Sequence, residues 1–194
     1  MARTRIPLRA AIAVGVVGLV TAVGGAALGS VSAAAQPSPQ SWVHQLCTAA
    51  SSWEQSIQTA ESNLSSQAGS ASSVTEAKSL LVGFLQGAVN DTKQLVQETG
   101  QIGTPNVKRG PAVAAYFRSG FVKVQKLFNN ALADAKGLPT DSAGFNSGAT
   151  AIGNRLHSEA AALSKQFTSL RGKFKIPSIT AALNSDPTCQ ALKS

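Results

Sequence analysis

Apolar positions recur at helical spacing along almost the whole chain. From residue 41 onward, Trp42, Leu46, Trp53, Ile57, Ala60 and Leu64 fall on one narrow stripe when each residue advances by about 100°. This predicts a first helix over 41–64 that stops near Gln67, Ala68 and Gly69, since glycine ends a helix at little steric cost. Cys47 sits at the edge of that stripe, where it can reach a neighbour beside the core. Ser73, Val74, Thr75 and Glu76 form a capping-box pattern: the Ser hydroxyl can accept from the Glu76 N–H, and the Glu can reach back. A second helix is expected over 74–99, with Val74, Ala77, Leu81, Phe84, Leu85, Ala88, Leu95 and Val96 inward. Gly100, Gly103 and Pro105 close it.

The third helix is expected over 111–136. Pro111 suits a first turn, and Val113, Phe117, Phe121, Val124, Phe128, Ala131 and Leu132 make the inner face. Gly137 and Pro139 stop it. A fourth helix, capped within 140–142, reads to residue 174 with Phe145, Ala149, Ile152, Leu156, Leu163, Phe167, Leu170 and Phe174 in line. Beyond Pro177, Ser178 and Asp186 read as N-caps of two short turns, the second carrying Cys189. Alternating strand patterns do not occur outside the opening segment. The predicted fold is all-α: an antiparallel up-down-up-down four-helix bundle with short C-terminal helical turns. An even number of helices returns the chain to the end where it began. The tail is thereby placed beside the first helix.

Composition adds a compartment. The opening residues, with Arg3, Arg5 and Arg9 ahead of an apolar run over 10–28 and small residues at 33–35, fit a secretory signal cut before Gln36. The same run, roughly 19 residues, is also long enough to anchor the chain in a membrane. The division expected is therefore a signal peptide over 1–35, a Pro-rich spacer over 36–40 and a helical domain over 41–194. The expected location is secreted or cell-envelope associated. In an exported chain, two cysteines are most simply one disulfide, Cys47 with Cys189.

Charge is the one asymmetric feature. The formal net charge is +8, of which the three arginines of the opening segment supply three, leaving +5 for the remainder. Between 108 and 136 lie Lys108, Arg109, Arg118, Lys123, Lys126 and Lys136, against Asp134 alone. Arg118, Lys126 and Lys136 fall opposite the phenylalanine stripe, which makes Arg118, Lys123, Lys126 and Lys136 a candidate basic binding face. A solvated helix face is the plainer account of the same residues. Arg171, Lys173 and Lys175 form a second cluster, suited to the negative end of the fourth helix. An anionic envelope polymer, a lipid headgroup or an acidic protein would complement such charge. Nucleic acid is not expected, because no aromatic residue lies among those cations.

Reactive constellations are sparse. His44 and His157 are the only histidines, too few for a zinc site when the cysteines are bonded to each other. His44 reads as an exposed first-turn residue. Glu54 and Glu61 read as solvent charges. No nucleophile elbow, P-loop or dinucleotide fingerprint is present, and no cofactor, metal or catalytic residue is assigned. Trp42 and Trp53 read as core residues, or as the lining of a pocket between helices. At Trp42, Cys47, Trp53 and the terminal run from Asp186 to Leu192, the chain resembles small exported helical proteins of high-GC Gram-positive bacteria. That resemblance implies a signal peptide, a helical domain and an N-to-C-terminal cysteine pair, without an assigned activity. The expected function is non-enzymatic binding of an envelope component or protein partner. The alternative is carriage of a small apolar ligand between the helices.

Overall fold

The structure, a computed structural model, describes residues 36–168 and 174–192, with 163–168 described by backbone alone. The expectations for residues 1–35, for Leu163, Phe167 and Leu170, and for Arg171 and Lys173 lie outside the described residues.

Four long helices and two short ones follow in order: α1 (Pro39–Ala68), α2 (Val74–Gln101), α3 (Gly110–Lys136), α4 (Ser142–Thr168), α5 (Pro177–Ser185) and α6 (Pro187–Ala191). No strand occurs among the described residues. The helices pack largely in chain order. α1 lies on α2, α2 on α3 and α3 on α4, while α5 and α6 fold back onto α1. The all-α bundle with short C-terminal helices expected from the periodicity is the observed architecture.

Local chemistry accounts for the helix ends. Ser38 caps α1 by accepting from the Ser41 N–H at 3.2 Å, with Pro39 in the first turn. α1 therefore starts two residues before the expected Ser41. Ser73 Oγ accepts from the Glu76 N–H at 3.2 Å. The Glu76 carboxylate reaches back one residue further than a capping box requires, accepting from the Ser72 N–H at 2.7 Å and its hydroxyl at 2.8 Å. Asp141 caps α4, accepting from the Gly144 N–H at 2.8 Å. Ser178 is not a cap. α5 begins at Pro177 with Ile176 before it, so Ser178 lies inside the first turn. Asp186 does cap α6, its Oδ1 accepting from the Cys189 N–H at 3.0 Å.

Two apolar clusters fill the interior. At the end where α1 starts, Trp42, Val43, Leu46 and Cys47 meet Leu95, Val113, Phe117, Phe121, Ile179, Ala182 and Cys189. Toward the other end, Leu85, Ala88 and Val89 of α2 meet Val124, Leu127, Phe128 and Leu132 of α3 and Phe145, Ile152 and Leu156 of α4. Trp53 packs against both clusters. The expected stripe of α4 is buried at Phe145, Ile152 and Leu156, but residues 157–162 are exposed on every side of the helix. Over 157–162, α4 therefore lies outside the core. The turn into α3 depends on Gly110: a Cβ there would lie 2.1 Å from the Pro105 carbonyl oxygen.

Candidate functional site

The first helix is joined to the tail by two parallel bridges. Cys47 and Cys189 form a disulfide with Cα atoms 5.1 Å apart, across a sequence separation of 142. One turn earlier on each partner, His44 Nδ1 lies 2.9 Å from Asp186 Oδ2, at the same separation of 142. Burial pushes the Asp186 carboxyl up. The backbone N–H of Cys189, the His44 ring and the backbone N–H of Thr188 outweigh this, and hold it below the ordinary carboxylate range. His44 is exposed, as its first-turn position implies, but its pairing with Asp186 was not anticipated. The signal was available as the matched spacing of His44 to Cys47 and of Asp186 to Cys189. With both cysteines bonded, there is no thiol for chemistry here.

Both tryptophans serve the interior. Trp42 is 2% exposed, donates its indole N–H to the Gly103 carbonyl at 3.0 Å, and meets Phe117 edge-on with ring centroids 5.5 Å apart. Trp53 donates to the Thr92 hydroxyl at 3.0 Å, and that hydroxyl donates to the Ala88 carbonyl at 2.7 Å. Thr92 is fully buried, so this relay satisfies the polar groups inside the α1–α2 contact.

The predicted basic face lies on the outward side of α3. Arg118, Lys123, Lys126 and Lys136 are all exposed. At about 100° per residue, Lys126 falls opposite Phe117, Phe121 and Phe128, with Arg118 and Lys136 together on one flank of it and Lys123 on the other. Val122, 46% exposed, sits between Arg118 and Lys126. The Arg118 guanidinium lies over the last turn of α2, where a Cβ on Gly100 would be 3.7 Å from its Cζ. A cation there complements the helix's negative end. The carboxylate of α3, Asp134, is engaged by Arg155 of α4, which leaves the outward face cationic.

A second group of cations occupies the end of the bundle where α1 starts. The Arg109 guanidinium lies 5.1 Å from the centroid of the Phe174 ring, and Tyr116 meets the same ring edge-on at 5.6 Å. Lys108 and Lys175 flank this pair in sequence and are exposed. Asn106 donates its N–H to the Pro37 carbonyl at 2.9 Å, so the chain enters the fold beside these residues.

Other features offer less chemistry. Partial burial pushes the Glu54 and Glu61 carboxyls up. Seven residues of helix set their backbones about 10 Å apart, too far to share a proton directly. An open groove of about 530 Å³ is lined by Thr75, Lys78, Ser79, Val82, Gly83 and Gln86 of α2 and by Thr140. It is an open surface groove with a mostly apolar lining, not an enclosed space between the core faces. Gly83 and Gly87 have nothing within 4 Å of a would-be Cβ, so they bring no helix close. Among the described residues there is no group of three metal-ligating side chains, and no helix long and apolar enough to cross a membrane. Compared with known proteins, the chain matches no family model, no curated protein and no solved structure.

Proposed function

We propose that this protein is a non-enzymatic binding module of the cell exterior, exported by its N-terminal segment and holding an anionic envelope component or acidic partner on α3. The observation that carries this reading is the outward side of α3. Arg118, Lys126 and Lys136 are exposed there, and the one carboxylate of that helix is engaged by Arg155. From Arg118 to Lys136 the face runs about 27 Å along a straight rod, at 1.5 Å per residue. Cations so spaced suit an extended polyanion or an acidic surface better than a small ligand. Val122 adds a local apolar contact within the row.

The bundle is the scaffold for that face. α3 is the helix packed on both α2 and α4, so its outward side is held rigidly while its inner side supplies Phe117 and Phe121 to one cluster and Phe128 to the other. Binding of this kind is electrostatic and weakens as salt screens it over about 10 Å at 0.1 M. The purified protein should be retained on isolated cell envelope at low salt and released as salt rises. The triple variant Arg118→Gln, Lys126→Gln, Lys136→Gln should be retained at least several-fold less. Retention that neither salt nor this variant changes would sink the proposal.

A further inference from the structure

We propose that the end of the bundle at which the chain enters is a second docking surface, separate from α3's side, and that its partner is an anionic lipid membrane. Three exposed cations meet there: Lys108, Arg109 and Lys175. They are gathered by Phe174, whose ring lies under the Arg109 guanidinium at 5.1 Å and against Tyr116 at 5.6 Å. Around them Ile102, Val107, Phe174 and Ile176 are only half-buried against the core. Cations set among partly exposed apolar and aromatic side chains have the composition of a surface that rests at lipid headgroups.

The carboxylates of this end are otherwise engaged. Asp186 accepts from the Cys189 N–H and meets His44, while Glu98 accepts from the Gln94 amide at 2.8 Å. Neither pairs with Lys108, Arg109 or Lys175 among the described residues. Arg109 and Lys175 are also the two non-glycine residues with positive φ there, at 70° and 45°. Left-handed backbone is unfavourable for both residues, and here it turns the chain where each cation is displayed.

The entry point selects the partner. The Asn106 N–H to Pro37 carbonyl bond fixes the start of the described chain two residues from Lys108. The preceding sequence carries the apolar run over 10–28, long enough to span a bilayer. Between Leu28 and Pro37 the chain reaches at most about 30 Å. Whenever that run is in a membrane, the basic end is therefore held within reach of the headgroups. The α3 face runs along the bundle's side and is not presented by this tether. A soluble polyanion would have no reason to select the entry end over α3.

Residue-resolved lysine labelling separates the two surfaces without any substitution. The full chain is reconstituted in vesicles of phosphatidylcholine alone or mixed with phosphatidylglycerol, labelled with an amine-reactive reagent and read by mass spectrometry. Lys108 and Lys175 should react several-fold less in the phosphatidylglycerol vesicles, and recover at high salt. Lys126 and Lys136 should react equally in both. Equal reactivity of Lys108 and Lys175 in the two lipids would overturn the proposal. So would protection of Lys126 and Lys136 with Lys108 and Lys175 still open, which would put the lipid on α3.

Discussion

Asp186 shows how much one side chain can tie together. Its carboxylate caps α6, receives the Cys189 N–H and meets His44 on α1, all beside the disulfide. Because its folded pKa is depressed, its charge-linked stabilisation is present above the unfolded carboxylate pKa and is lost as pH falls through the folded value. Glu76, lowered by the Ser72 backbone N–H and hydroxyl, acts with the same sign. Glu54 and Glu61 act with the opposite sign. Raised by partial burial, each contributes stability below its unfolded pKa and loses it as pH rises through the folded one. Asp186→Ala should lower stability at neutral pH by about 1 kcal/mol through the lost cap, and should flatten the acid limb of a urea-unfolding pH series. Asp186→Asn keeps a capping oxygen but no charge, and should flatten the acid limb with a smaller loss at neutral pH. An acid limb unchanged in both variants would show that the carboxylate's bonds do not carry the dependence.

Among the elements, α2 and the turn after it set two glycine roles side by side. Gly83 and Gly87 lie mid-helix with open space where a Cβ would be, so each carries glycine's flexibility without a packing reason. Gly83→Ala and Gly87→Ala should each raise stability by about 1 kcal/mol in denaturant unfolding. Gly110→Ala should lower it, since the new Cβ meets the Pro105 carbonyl. Sequence pattern alone cannot distinguish these glycines, because the difference is the position of a carbonyl from another turn. The same limit explains what the apolar pattern did and did not convey. Stripes such as Phe117, Phe121 and Phe128 located α3 and its core face, because one helix's burial follows its own periodicity. Val43, fully buried, lies off the α1 stripe because α5 and α6 cover a second side of that helix. Residues 157–162 keep helical form yet contribute nothing to the core, because burial there depends on a neighbour's path. The basic side of α3 was legible from spacing alone. The end cluster was not, since Lys108, Arg109 and Lys175 come together only when Phe174 folds back beneath Arg109.

For the whole molecule, the Cys47–Cys189 bond closes a covalent ring around nearly the entire bundle. In the chain-entropy account, a loop of that length stabilises the fold by at most about 5 kcal/mol. The ring also changes where mechanical load travels. The two attachment points have Cα atoms 5.1 Å apart, so tension applied through the N-terminal segment and the tail passes the first two turns of α1, crosses the sulfur–sulfur bond and bypasses everything between Cys47 and Cys189. A protein held at a cell boundary by one end and pulled at the other would keep its bundle, and its α3 face, unstretched. In single-molecule pulling from the two termini, the oxidised chain should yield almost no unfolding extension. The reduced chain should lengthen by about 480 Å, since the separation of 142 residues contributes about 3.4 Å each. Long extension without reduction would show that the clasp does not carry the load. Read this way, the tail's return to the first helix is a strain relief for the fold.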